Sequence, residues 1–439
     1  MRNSRSFPLA VAVILGASCF LIAQAPGQQQ PSAPVQLTLK QAEQFALVNN
    51  PQISVSRLLA LAQHQVLREV RSSELPTATG NLTAVDAHEG TRITAGVLNN
   101  PSVFERAGAG VTIGQLITDF GRTRNLVASA GLREKAEQES ALATTADVIL
   151  AIDQAFYSAL SAQSELMVAQ QTVETRQTTA DQVNALTKAK LRSDLDLSFA
   201  NVNLAQAKLL LLDAQNHKDA AFASLNALLG LEKQATYLLT DESNQPLNQP
   251  PSDEEDLVEQ AFRSRPDLVS LDDQFQSEKR FARAEHDLNR PTISALGAVG
   301  GTPVRADQIT TPWCGAVGVN MSIPVFNGFL FSARAREADY RASARQEQAR
   351  DLRDRIARDV RVTWLQANTA FQRVTVTAQL LQQASLALDL AQTRYKLGLG
   401  SIVELSQAQL QETDAQIGNS TAKYDYLTTL SRLKYQTGQ

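Results

Sequence analysis

His64, His88, His217 and His286 are the groups with which this chain could ligate a transition metal or shuttle a proton near neutral pH, and they are scattered over 439 residues. None of them stands with carboxylates at the spacing that gathers three or four ligands on one cation, so no metal site is expected. Phosphate binding has one candidate, Gly108-Ala109-Gly110-Val111-Thr112-Ile113-Gly114. A phosphate cradle needs a Lys beside its glycines and a helix behind them; this stretch lacks that Lys and lies inside alternating sequence, so it reads as the small-residue face of a strand. Acyl transfer has no candidate, since there is no Gly-x-Ser-x-Gly elbow and no cysteine with a nearby histidine. The carboxylates stand mostly on solvated helix faces. The expected protein is not an enzyme and carries no cofactor.

What the chain does carry is a duplication. Asn50-Pro51-Gln52-Ile53 recurs as Arg265-Pro266-Asp267-Leu268, and Leu75-Pro76-Thr77 as Arg290-Pro291-Thr292, both 215 residues later. Gly110-Val111, Ser193, Leu197, Ala200 and Gly230 recur as Gly318-Val319, Ser401, Leu405, Ala408 and Gly438, all 208 residues later. The first copy is therefore longer between Pro76 and Gly110. A repeat of this length is half of a duplicated domain and not a short solenoid unit.

Each copy has the same order of periodicities. Leu39 to Leu75 reads as a helix with a kink or break at Pro51, and Asp253 to Arg290 repeats it. After Pro76 and Pro291 the period changes to two. Thr77 to Ala84 alternates polar with small or apolar residues, and in Trp313 to Ile323 the residues Trp313, Val317, Val319, Met321 and Ile323 share one face. Cys314, Ala316, Gly318, Asn320 and Ser322 share the other. Ten alternating residues with one apolar and one small or polar face suit a transmembrane β-strand, and equally a half-buried strand of a soluble sheet. Proline is then absent from Ser102 to Gln245 and from Val325 onward, which allows helices of roughly 60 residues and about 90 Å. Ala357, Val360, Trp364, Ala367, Phe371, Val374, Ala378, Leu381, Ser385, Leu388, Gln392 and Tyr395 step by three and four, a heptad seam. Ile149, Ile152, Phe156, Ala159, Gln163, Leu166, Gln170 and Val173 repeat it in the first copy. Breaks at 190–194 and 398–401 turn each long helix back on itself, giving two helical hairpins.

Arg2 and Arg5, then an apolar run from Phe7 to Ala23, then Gln and Pro follow the order of a secretory signal peptide. Cleavage is expected between Ala23 and Gln28, after Ala23-Gln24-Ala25 or Ala25-Pro26-Gly27. Cys19 is expected to leave with it, lipidation there being the alternative, so that Cys314 is alone and forms no intrachain disulfide. The net charge of −4 and pI near 5.7 give no electrostatic reason to expect nucleic acid as a partner.

The strand-to-helix junctions Gln115-Leu116-Ile117-Thr118-Asp119-Phe120-Gly121-Arg122 and Ser322-Ile323-Pro324-Val325-Phe326-Asn327-Gly328 resemble the paired junction motifs of the TolC family of outer-membrane efflux proteins. Tyr395-Lys396-Leu397-Gly398-Leu399-Gly400-Ser401-Ile402-Val403-Glu404-Leu405 is similar to that family's hairpin turn in the second repeat. The resemblance implies a mainly α fold with β: duplicated long-helix hairpins form a trimeric α-barrel in the periplasm, continuous with a transmembrane barrel of twelve strands, four from each chain. Independently, four strands are too few to close a barrel in one chain, and an open edge is forbidden in lipid. Trp313 and the phenylalanines Phe326, Phe329 and Phe331 suit the aromatic girdles of such a barrel.

The resemblance also implies a closed periplasmic end held by tyrosine-to-aspartate links and an acidic ring. Tyr395 would supply the phenol, Asp196 the carboxylate and Glu404 the first acidic position; Gln407 occupies the second, and Gly400 stands where a gate arginine can sit. The expected organisation is a signal peptide over 1–27, a linker over 28–36, a first repeat over 37–240, a linker over 241–252 and a second repeat over 253–439. The implied function is the passive outer-membrane exit duct of a tripartite efflux or type I secretion system, carrying small molecules or polypeptides. The implied partners are a periplasmic adaptor, an inner-membrane transporter and outer-membrane lipid. The competing reading is a secreted helical coiled-coil scaffold or adhesion protein without a pore.

Overall fold

The computed structural model describes residues 35–86, 92–95, 98–102, 106–231, 237–241, 247–251, 253–304 and 313–439; the expected signal peptide, Cys19 and His88 lie outside them. In the first copy β1 (Val35–Leu37) leads into α1 (Leu39–Asn49) and α2 (Pro51–Ser72). Next come β2 (Thr77–Val85), β3 (Arg92–Ala95), β4 (Leu98–Ser102) and β5 (Arg106–Thr118). The hairpin α3 (Arg122–Lys188) and α4 (Asp194–Leu228) follows, then β6 (Tyr237–Leu239). The second copy runs α5 (Glu254–Ser264), α6 (Pro266–His286), β7 (Thr292–Val304), β8 (Trp313–Ser322), α7 (Leu330–Lys396) and α8 (Ile402–Gln436).

Local chemistry accounts for the breaks. Thr38 and Gln41 form a capping box at the start of α1. Asn50 both closes α1 through its own N–H to the Ala46 carbonyl and opens α2 by accepting from the Gln52 N–H at 2.8 Å. Pro51 cannot continue the first helix but is preorganised as the first residue of the second, so of the expected kink or break the structure has the break. Arg265 and Pro266 repeat the backbone geometry between α5 and α6, without a side-chain cap from Arg265.

The long helices predicted from the proline-free runs are α3 and α7, each of 67 residues and about 100 Å, and each returning hairpin arm has 35 residues. The seam is thinner than the heptads suggest. In α3 the buried positions run through Ile152, Phe156, Ala159, Ala162, Leu166 and Ala169, while Gln163 is only half-buried and Gln170 is exposed. In α7 Ala384 and Ala391 are buried where the strict heptad places Ser385 and Gln392. Alanine wins these positions because it lets two long helices approach without stranding an amide between them.

Large buried side chains gather at one level. Ile152, Phe156, Leu225, Leu229, Ala42, Ala46 and Ile53 form one core, roofed by the parallel pair β1 and β6. Three residues per strand carry no readable period, so this pair was not foreseen, and neither was the small hairpin β3–β4. The segment between the copies is strapped across the same level: Asp241 accepts from Lys423 at 2.6 Å and from Tyr424 at 3.1 Å, and Pro251 accepts from the Trp364 indole at 2.7 Å.

Glu43 on α1 and Asp153 on α3 interact at this level. Burial raises both carboxyls above their ordinary values; the Asp153 charge raises Glu43 further, Lys434 pulls both back, and Lys40 pulls back Glu43. A carboxyl raised on folding contributes stability that is present while it is protonated and is lost as pH climbs through its folded value. Asp153→Asn is therefore expected to raise the midpoint of thermal unfolding at pH 7.5 and to leave it nearly unchanged near pH 4. Circular dichroism melts at the two pH values check this, and a loss at pH 7.5 would contradict it.

Candidate functional site

The four long strands form one antiparallel sheet in the order β2-β5-β7-β8. Its register sorts the side chains by face. Ala78 pairs with Ile113 and Gly80 with Val111; Ile113 pairs with Gly297, which pairs with Val317; Val111 pairs with Val299, which pairs with Gly315. Directly paired residues share a face. One face thus carries Leu82, Val111, Ile113, Val299, Val317, Val319 and Met321, all exposed, with Val317 93% exposed. The other carries Thr77, Thr79, Asn81, Thr83, Thr112, Ser294, Cys314, Asn320 and Ser322. On it Gly110 faces Gly300, and a Cβ on Gly300 would lie 2.8 Å from the Ala109 carbonyl, so this face admits no larger residue there. Among the described residues no helix is long and apolar enough to cross a membrane, and this sheet is the surface with the required alternation. Trp313 is exposed at one end of β8, on the apolar face.

Both junctions turn on two consecutive left-handed residues immediately before the long helix. Phe120 has φ 54° and Gly121 φ 110°; Gly328 has φ 61° and Phe329 φ 65°. Asp119 is buried in the first corner and accepts from the Thr123 N–H at 2.7 Å, the Thr123 hydroxyl at 2.6 Å and the Gly121 N–H at 3.2 Å. Arg290 donates to the Phe120 carbonyl at 2.7 Å, tying that corner to the end of α6. The second corner is looser. After Pro324, Phe326 and Phe329 are exposed and meet edge to face at 5.8 Å.

At the opposite end lie the two hairpin tips. Lys190 (φ 60°) ends α3 and Gly398 (φ 74°) ends α7, 208 positions apart. Ser193 caps α4 and Ser401 caps α8, each accepting from the third helical residue, Asp196 and Glu404, at 3.1 Å. The two expected gate carboxylates are thus equivalents in the duplication.

The structure brings Tyr395 and Asp196 into one region but does not hydrogen-bond them. Tyr395 is buried among Ala180, Val183, Ala200, Leu204, Ile402 and Leu405, where both hairpins meet, and its hydroxyl has no hydrogen-bond partner among the described residues. Burial raises the phenol above its usual value, with Arg192 opposing and Asp196 adding to the rise. Asp196 instead accepts from the Ser193 N–H at 3.2 Å, completing a capping box. Glu404 pairs with Arg394 at 3.1 Å, and Gln407 is exposed on the next turn of α8. A Cβ on Gly400 would already lie 3.2 Å from Glu404 Oε2, so the pair fills the space beside it.

Two arginines escaped the sequence reading. Arg394 carries the ion pair with Glu404, and Arg192 lies with its guanidinium 4.4 Å from the centre of the Tyr395 ring while donating to the Tyr395 carbonyl at 3.0 Å. The duplication held a signal for the second, because Arg192 is the first-copy counterpart of Gly400. The remaining described histidines make single cross-helix contacts with carboxylates, His64 with Glu134, His217 with Glu165 and His286 with Asp339.

The outer membrane efflux protein family matches residues 43–231 and 257–439. The outer membrane protein TolC of Salmonella enteritidis is 23% identical over 431 residues, covering 91% of this chain and 83% of that protein. The alkaline protease secretion protein AprF of Pseudomonas aeruginosa is 26% identical, covering 73% of this chain and 66% of its own length. Among solved structures the outer-membrane channel OprN superposes with a TM-score of 0.80 at 19% identity, covering 91% of this chain and 89% of that one.

Proposed function

The chain belongs to the outer membrane efflux protein family, and on that footing we propose that it is the outer-membrane exit duct of a tripartite export system, a passive channel that does no chemistry. The observation that carries this reading is the sorted sheet. One apolar and one small or polar face across four registered strands suits lipid on one side and an aqueous lumen on the other. Its outer strands β2 and β8 present unpaired edges, which lipid does not tolerate. Three copies joining β2 of one to β8 of the next would close twelve strands. The apolar side chains that α2, α4 and α7 leave exposed, among them Leu58, Phe199 and Leu380, would be covered by the same association.

In this reading the helices extend the lumen into the periplasm, Trp313 sits at a membrane interface, and Tyr395, Asp196, Glu404 and Gln407 surround the closed end. Residues 1–27 export the chain and 28–36 link them to the first repeat. Energy comes from an inner-membrane transporter through a periplasmic adaptor that meets the tips at 190–194 and 398–401. The relatives include one named for protease secretion and a family named for efflux, so both polypeptides and small molecules fit as cargo. The secreted scaffold accounts for the hairpins but not for the sorted sheet.

Mass determination of detergent-purified protein, run with conductance recording in a planar bilayer, tests the reading. A trimer giving discrete steps is expected. A monomer that leaves the bilayer silent and is released from membranes by carbonate would return the scaffold.

A further inference from the structure

We propose that Arg192 is the residue that positions the two hairpin tips of each chain against one another, in place of the Tyr395 hydroxyl. The inference rests on the duct reading above and names how its closed end is held. Arg192 belongs to the α3–α4 turn and Tyr395 to the last turn of α7, 203 positions apart along the chain. Two contacts of different kinds join them: the guanidinium lies over the ring at 4.4 Å, and Nη2 donates to the Tyr395 main-chain carbonyl at 3.0 Å. The planar guanidinium can stack on the ring and donate from its edge at once, which a compact, strongly hydrated ammonium does less well.

The carbonyl contact matters because it falls at a helix end. The Tyr395 carbonyl already accepts from the Gly398 N–H of the turn at 3.1 Å, and Arg192 takes up its remaining capacity at the negative end of the helix dipole, where a cation is favoured. The Tyr395 hydroxyl, by contrast, is buried and bonds to nothing among the described residues, while Asp196 is held by its own helix start. A phenol-to-carboxylate latch would need at least one of the two groups to move from these positions. The duplication explains how the arginine came to serve here. At 192 the first copy has Arg; at 400 the second has Gly, whose neighbouring space is filled by Arg394 and Glu404. Within each chain, then, the turn of the first hairpin reaches across to the second, while the second turn braces itself through the Arg394 to Glu404 pair.

The test compares Arg192→Ala, Arg192→Lys and Tyr395→Phe in purified trimer by single-channel recording. Losing the ring and carbonyl contacts together should raise the open-to-closed ratio on the order of tenfold, the factor that corresponds to about 1.4 kcal/mol. Arg192→Lys should fall between Arg192→Ala and the parent, and Tyr395→Phe should behave as the parent because it keeps both the ring and the carbonyl. Opening by Tyr395→Phe as large as that by Arg192→Ala, or parental gating in Arg192→Ala, would overturn the assignment. Hydrogen exchange read on the same samples keeps the test independent of conduction. Faster exchange in both 183–200 and 390–406 on losing Arg192, with the level around Phe156 unchanged, is expected. Exchange unchanged at both tips would sink the clasp even if the duct reading holds, whereas silent bilayers with altered exchange would remove the duct reading and leave the clasp standing.

Discussion

Val317→Arg should nearly abolish recovery of the proposed trimer from the outer membrane, while Ala316→Arg, one residue earlier, should leave it close to parental amounts. Val317 is central in β8, 93% exposed, and surrounded on its face by Val319, Val299 and Gly297 rather than by any polar group. A cation on the lipid face at the bilayer midplane costs about 2–4 kcal/mol, and a closed trimer would carry it three times. Even one such term displaces an assembly equilibrium by a factor of about 30 or more. Ala316 points to the opposite face, opposite Ala298, among small residues with room for a longer side chain. There an arginine meets water and counter-ions, so the expected result is a shift of the reversal potential toward anions with assembly kept. Quantifying trimer in detergent extracts of the outer membrane, followed by recording under a salt gradient, checks both halves. Equal tolerance of the two substitutions, or equal loss, would mean that the faces do not see lipid and lumen.

This contrast was legible in the sequence for β8 and β2, because Trp313 to Ile323 and Thr77 to Ala84 alternate. The other strands were harder. Gly108 to Gly114 carries too few large side chains to declare a face, and only the cross-strand register shows that Val111 and Ile113 lie with Val299 and Val317. The long helices were legible for a different reason: absence of proline over more than a hundred residues is a global constraint that a local error cannot spoil. Which stripe of them would be buried was not. A heptad reading follows large residues, whereas the close approach of α3 and α4 follows alanines such as Ala169 and Ala214, which a hydrophobic period barely registers. The clasp was invisible for a third reason. Arg192 lies 203 positions from Tyr395, and nothing in either local pattern links a turn arginine to a seam tyrosine. Comparing the two copies position by position would have marked it, since an Arg in one and a Gly in the other at matched turns is a change of function between halves.

The second large effect follows from the uneven core. Phe156→Ala is expected to cost about 3–5 kcal/mol per chain, because it opens a cavity in the core where Ile152, Leu225 and Leu229 meet. Phe156 is 2% exposed and touches the cluster that unites α1, α3, α4 and the β1–β6 pair. Its counterpart 208 positions on is Trp364, partly buried, which packs beside Ile356 and Val360 and donates to the Pro251 carbonyl. Trp364→Phe gives up chiefly that hydrogen bond, about 0.5–1.5 kcal/mol. Thermal melts followed by helical circular dichroism should therefore fall by several degrees for Phe156→Ala and by a fraction of that for Trp364→Phe. Comparable falls would show that the level resists melting equally in both copies. The difference matters for a duct whose closed end must open. Between the strapped level and the tips the apolar contacts among the described residues thin to Leu166, Ala169 and Ala214, and the hairpins are bridged there by buried Arg176 donating to Gln409 before the cluster around Tyr395. Thin alanine contacts store little energy to oppose parting, so a stiff middle lets the tips separate while the helices themselves stay folded. On this basis Phe156→Ala should destabilise the whole helical domain without favouring the open state, the reverse of what Arg192→Ala should do, and the two variants together separate stability from gating.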